Sequence, residues 1–169
     1  MKRILIVFLY LMMILPVASA QNGRSERRLQ RLERKKKIAI KVDSLIMSRT
    51  FTFRAREAIP VSMPVMHLTS EYDLKVNGDS VFVSLPYYGR AYTVDYMSRE
   101  GGIKVKGLVE NYYLATEPDQ YRIDFDVKAE NDTYQFRLSV WKSGYASLYV
   151  NCYNRQFISF SGILDGIGL

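Results

Sequence analysis

Cysteine, histidine and tryptophan occur once each among 169 residues, and proline only five times. A single Cys excludes an internal disulfide framework and any CxxC metal or redox site. A single His excludes the commoner zinc constellations, which need two or three imidazoles. There is no GxSxG elbow, and Gly101-Gly102 lacks the spacing and the strand-to-helix setting of a phosphate loop. No metal, cofactor or catalytic residue is therefore expected, and the chain reads as a non-enzymatic protein. With 48% hydrophobic and 24% charged residues, its composition is that of a folded globular domain.

Lys2 and Arg3 precede an apolar run from Ile4 to Val17, interrupted only at Pro16, and Ala18-Ser19-Ala20 offers small residues at both positions a signal peptidase reads. The run is shorter than the roughly 20 residues of a membrane span. We therefore expect a cleavable signal peptide over residues 1–20, with no transmembrane span in the mature chain and a periplasmic or extracellular destination. No Cys stands near the cleavage point, which excludes a lipoprotein.

Charge is spread unevenly. Arg24 to Lys41 carries nine basic residues against Glu26 and Glu33, whereas Val42 to Leu169 holds 13 basic and 15 acidic residues. The basic character thus belongs to one segment and the remainder is slightly acidic. That segment, within residues 21–49, is rich in strong helix formers, and Glu33 with Lys37 forms a favourable i,i+4 pair. Ile38, Ala39, Val42, Leu45 and Ile46 fall on one helical stripe. Ile38 to Ser48 is expected to dock on the domain, while the more basic first part, with only Leu29 and Leu32 apolar, projects into solvent. Nucleic acid is not expected as a partner in the compartment a signal peptide implies.

From Thr50 the apolar period changes from 3.6 to 2, so residues 50–169 read as an antiparallel β domain. A two-residue loop at Asn77-Gly78 would pair Val76 with Asp79, Leu74 with Val81 and Tyr72 with Val83. A turn at Glu130-Asn131 pairs Val127 with Tyr134, Phe125 with Phe136 and Ile123 with Leu138, leaving Arg122, Asp124, Asp126 and Lys128 on the other face. A three-residue loop Lys142-Ser143-Gly144 then pairs Val140 with Ala146 and Leu138 with Leu148. Further strands are expected at Phe51 to Arg56, Val61 to Leu68, Ala91 to Met97, Ile103 to Val109 and Phe157 to Ser161. The fold class is mainly β: an antiparallel meander of about eight to ten strands closed into a barrel or folded into a sandwich, preceded by one N-terminal helix that plugs or flanks it.

Leu85-Pro86-Tyr87-Tyr88-Gly89-Arg90-Ala91-Tyr92 ends one strand and displays three Tyr rings and an Arg. Tyr offers a rigid apolar face with a polar tip, and Arg offers a planar fork for carboxylate or phosphate. Asn154-Arg155-Gln156 is a second polar cluster at a turn. If both lie at one end of the β domain, Tyr87, Tyr88, Arg90, Tyr92, Asn154 and Arg155 form a ligand-binding mouth. Asp124 and Asp126 share a face with Arg122 and Lys128, as a compensated surface does. His67 has no partner acid at a meaningful spacing, and Cys152 alternates with Leu148 and Val150 as a buried small hydrophobe would.

The Leu85 to Tyr92 stretch, the Asn77-Gly78-Asp79 hairpin, Gly144 with Leu148 and Val150, and Asn154-Arg155-Gln156 with Ile158-Ser159-Phe160-Ser161-Gly162 resemble the secreted bacterial family catalogued as domain of unknown function 4251. The similarity runs from about Phe51 to Gly162 and implies a secreted location without any activity or catalytic residue. The residues leave two readings open. One is a binding module of the cell envelope for a small anionic or glycan-like ligand or an envelope protein partner. The other is a structural or assembly-partner protein that acts through its basic helix. A secreted hydrolase would need a paired acid and base that the sequence does not display.

Overall fold

The computed structural model describes residues 2–92, 102–129 and 132–167, with backbone alone for residues 2–24. The chain divides into two units, residues 1–37 and 38–169. A helix, α1 (Lys2–Met47), begins in the first and ends in the second. In the first unit every described side chain from Ser25 to Lys37 is exposed. Residues 1–20, where a signal peptide is expected, lie where side chains are outside the described set. Among the described residues no helix is long and apolar enough to cross a membrane.

The second unit is an eight-stranded antiparallel closed barrel. Strands β1 (Thr50–Pro60), β2 (Met66–Asn77), β3 (Ser80–Pro86), β4 (Gly102–Thr116), β5 (Gln120–Lys128), β6 (Thr133–Trp141), β7 (Tyr145–Cys152) and β8 (Arg155–Leu164) follow one another around the wall. β8 returns to pair with β1, so no edge strand is left open. Strict alternation drives the arrangement: in β5 every second residue from Tyr121 to Val127 is buried, and the residues between face outward. The interior of an eight-stranded barrel is just wide enough for side chains to fill. Phe53, Ile123, Leu138, Leu148 and Phe160 are completely buried in it. The rings of Phe125 and Phe136 stack with centroids 5.1 Å apart, and Tyr112 extends the stack.

The last turns of α1 belong to this core. Val42 and Ile46 are fully buried, and Ile38 and Leu45 pack against the same cluster, as the apolar stripe requires. Asp43 accepts a 2.8 Å hydrogen bond from the Tyr121 hydroxyl. Burial first, and then this carboxylate, hold the Tyr121 phenol above its ordinary range. The helix stops at Arg49, which takes a left-handed φ of 50° of the kind that commonly ends helices. The Arg49 carbonyl accepts the Gly78 N–H at 2.9 Å, and its guanidinium lies 4.2 Å from the Tyr112 ring centroid. One residue thus ties the helix end to the β2–β3 hairpin and to β4.

The β5–β6 and β6–β7 registers are those read from sequence, including Phe125 opposite Phe136 and Leu138 opposite Leu148. Residues Glu130 and Asn131 of the first of these turns lie outside the described residues. The β2–β3 register differs by two residues: Val76 faces Val81 and Leu74 faces Val83. Gly78 alone has positive φ there, at 60°, so Gly78 and Asp79 form the turn in the pattern of type II′ rather than I′. The strand expected over Val61 to Leu68 is the connection between β1 and β2 until Met66, because Pro60 and Pro64 cannot donate to a ladder. Of the strand expected over Ala91 to Met97, the described residues Ala91 and Tyr92 hold an isolated bridge from Ala91 to Arg155; residues 93–97 lie outside the described set. β4 runs past Val109 to Thr116 because a bulge at Asn111, with φ of 51°, breaks its alternation and resumes it in new phase.

The seam between β1 and β8 is the tightest point of the wall. A Cβ on Gly162 would stand 2.1 Å from the Arg54 carbonyl oxygen. Gly162→Ala is expected to destabilise the barrel by about 3 kcal/mol, the upper end of the usual overpacking range. Urea unfolding followed by circular dichroism checks this, and an unchanged midpoint would mean the seam is looser than described.

Candidate functional site

The barrel has two unlike ends. One receives the last turns of α1, from Ile38, together with the β2–β3, β4–β5 and β6–β7 turns. The other carries the β1–β2 connection, the chain after β3, the β5–β6 turn and the β7–β8 turn. All six residues of the expected mouth lie at this second end.

The loop after β3 folds back onto the start of β8. The Tyr92 N–H donates to the Asn154 carbonyl at 2.8 Å, and the Gln156 N–H donates to the Arg90 carbonyl at 3.0 Å. Tyr87 lies beneath this strap, its hydroxyl placed to donate to the carbonyls of Arg90 at 2.8 Å or Gln156 at 2.9 Å. Burial is the main reason its phenol is held above its ordinary range, and Arg155 works the other way. A Cβ on Gly89 would come within 2.7 Å of the Tyr87 hydroxyl oxygen, so the Tyr-x-Gly spacing is what lets the ring tuck in. The Arg155 guanidinium sits 5.1 Å from the Tyr87 ring centroid and donates to the Gly102 carbonyl at 2.9 Å.

The six residues therefore divide by role. Tyr87, Arg155 and the Asn154 backbone build the rim, and Tyr88 packs against the core from its partly buried position. Arg90 and Tyr92 point outward: Tyr92 is 70% exposed, and among the described residues no carboxylate pairs with the Arg90 guanidinium. The side-chain carbonyl oxygen of Gln156 is buried with no hydrogen-bond partner among the described residues, an acceptor that a bound donor would satisfy.

Two rim residues escaped sequence reasoning. Tyr153 is 92% exposed at the tip of the β7–β8 turn. Asp132 organises that turn: its carboxylate accepts the N–H groups of Thr133 at 2.8 Å, Tyr153 at 3.0 Å and Asn154 at 3.0 Å. The local signal was an Asp beside a turn, a residue that habitually bonds nearby backbone N–H groups. Cys152, buried as expected, sits beside it. Burial and then the Asp132 charge push its thiol up to about 11, which makes it an inert packing group rather than a nucleophile.

Asp124 and His67 sit elsewhere. Asp124, on the outer wall, meets Arg137 Nε at 2.6 Å and Arg122 Nε at 3.4 Å, a compensated surface cluster. His67 does have an acid partner: the β1–β2 pairing brings Glu57 to 3.1 Å from its Nδ1, an acid ten residues away in sequence that only the pairing reveals. Among the described residues no group of three His, Cys, Asp or Glu is placed to hold a metal ion.

Comparison with known proteins adds a family and a fold. The family described as Domain of unknown function (DUF4251) matches residues 33–164. A crystal structure of a DUF4251 family protein from Bacteroides eggerthii DSM 20697 superposes with a TM-score of 0.59 at 18% identity, covering 75% of this chain and 86% of that one. At that identity the likeness speaks to the fold alone. No curated protein matches.

Two outcomes follow from the geometry around Cys152. Alkylation by iodoacetamide at pH 8 is expected to be about 100-fold slower in the native protein than in the urea-unfolded chain, because so little thiolate is present; equal rates would mean an open thiol. Asp132→Ala frees three amides and is expected to destabilise the fold by about 1–3 kcal/mol in chemical denaturation, while removal of the neighbouring negative charge speeds alkylation.

Proposed function

We propose a function from one premise: the chain belongs to the DUF4251 family, whose description names no activity. The protein is a non-enzymatic binding module of the cell envelope, secreted by its N-terminal signal, and it takes a small anionic or glycan-like ligand, or an envelope partner, on the rim opposite α1. The observation that carries this reading is the rim's construction. Its backbone is strapped by the Arg90–Gln156 and Tyr92–Asn154 hydrogen bonds, yet Arg90, Tyr92 and Tyr153 stay turned outward. A rigid frame presenting aromatic rings and a guanidinium with no carboxylate partner among the described residues suits recognition, since little ordering entropy remains to be lost on binding. The packed interior supports the same reading, because a barrel filled by Phe53, Phe125, Phe136 and Phe160 leaves the outside for ligands.

The assembly-partner reading keeps one observation in its favour, the exposed basic segment from Ser25 to Lys37. Native mass spectrometry of Gln21 to Leu169 recovered from secreting cells separates the two. An extra mass is expected on the wild-type protein and is expected to be lost from the Arg90→Ala, Tyr92→Ala double variant, which removes no side-chain bond that holds the rim. Adducts kept by that variant and lost on deletion of Gln21 to Lys37 would replace the rim reading with the helix reading.

A further inference from the structure

A second surface lies on the outer wall of the barrel, at the β1–β8 seam. Trp141 and Tyr145 flank the β6–β7 loop and line a groove of about 310 Å³ together with Arg56, Glu57, Ser147 and Ser161. Tyr145 is 57% exposed and Trp141, the chain's one tryptophan, is 39% exposed. Large rings left in water on a wall whose interior is already filled contribute nothing to the core.

The seam is shaped to place charge beside these rings. Strict alternation after the buried Ala55 would turn Arg56 outward and Glu57 inward. The bulge between Ala55 and Glu57 inserts one unpaired residue, so Arg56 and Glu57 both face out before Ala58 returns to the core. Glu57 is then held in place: Ser161 Oγ donates to it at 2.8 Å, and His67 Nδ1 lies 3.1 Å from its other oxygen. Arg56, by contrast, has no carboxylate partner among the described residues. The groove thus combines aromatic faces, serine hydroxyls, a fixed carboxylate and a guanidinium whose charge no described carboxylate answers.

A pyranose ring carrying a carboxylate answers each of these groups. Its C–H face covers the rings of Trp141 and Tyr145, its hydroxyls bond Ser147, Ser161 and Glu57, and its carboxylate meets the Arg56 fork. A neutral sugar would leave Arg56 unanswered, and a simple anion without hydroxyls would face Glu57 with nothing to donate. We propose that this groove binds acidic glycans through a carboxylate-bearing pyranose ring, at a site separate from the rim and independent of it.

Trp141 reports on its own groove, because all tryptophan emission comes from it. The full secreted chain is titrated with tetragalacturonate, with a hyaluronan tetrasaccharide and with neutral maltotetraose, and isothermal calorimetry supplies a second readout. At least one acidic oligosaccharide is expected to give a saturable emission change and to bind about tenfold more tightly than maltotetraose. Tyr145→Ala is expected to weaken that binding about tenfold, and Arg56→Gln to abolish the preference for the acidic ligand. The Arg90→Ala, Tyr92→Ala variant is expected to bind like the wild type, which separates this site from the rim. Absence of saturable binding by either acidic oligosaccharide at millimolar concentration, in protein shown to be folded by circular dichroism, would overturn the proposal, as would equal binding of the neutral ligand.

Discussion

Everything in this barrel depends on how its last strand meets its first. β1 and β8 approach so closely at Gly162 that no side chain fits between that residue and the Arg54 carbonyl. Closure there leaves the sheet without an edge to template aggregation and gives the interior a fixed volume. That volume is taken up by aromatic and branched side chains, Phe53 and Phe160 facing inward from the two seam strands themselves. The seam is also where regularity fails. The β1 bulge at Arg56 sits one residue from the pair formed by Ala55 and Gly162, so the close approach and the extra residue belong to one local distortion.

The second constraint is the end of α1. Val42 and Ile46 complete the core at one end of the barrel, and Arg49 joins that end to the β2–β3 turn and to β4 through its carbonyl, its guanidinium and a 3.5 Å ion pair with Asp79. The exposed ion pair alone adds little. The backbone hydrogen bond and the contact with Tyr112 count for more, because they fix where the β2–β3 turn must fall. With one end occupied by the helix and the interior filled, the loops of the opposite end are the part of the barrel free to vary in shape without disturbing the core.

How far this could be read from sequence depends on where the deciding contact lies. The β5–β6 register was legible because Tyr121, Ile123, Phe125 and Val127 alternate with charged residues, and a slip by one would bury Asp124. The Gly144 loop was legible for a local reason, its positive φ of 90°. The β2–β3 turn was not, since a slip by two keeps Leu74, Val76, Val81 and Val83 on the same face. The choice is made by Arg49 and by the Val109 N–H donating to the Asp79 carbonyl, partners remote in sequence. The candidate site follows the same division. The Tyr87 to Tyr92 cluster stood out by composition, but its strap to Gln156 spans dozens of residues, so nothing local showed that Tyr87 and Arg155 turn inward while Arg90 and Tyr92 face out. Glu57 beside His67 was hidden in the same way.

A uniform antiparallel barrel presents a nearly repetitive outer surface, alternating around its wall and offering no place distinct enough to be recognised. Both distinctive surfaces here arise where the β pattern is broken: at the bulge that turns Arg56 and Glu57 to one side, and at the strap where the chain after β3 leaves the ladder to pair with the β7–β8 turn. Neither break is loose. The first is held by Ser161 and the second by the Tyr87 hydroxyl and the Asp132 carboxylate. Irregular backbone pinned by such bonds is held in place, and side chains mounted on it start from a fixed position. The rigidity gained by filling the barrel is thereby carried outward to the places where the wall departs from it.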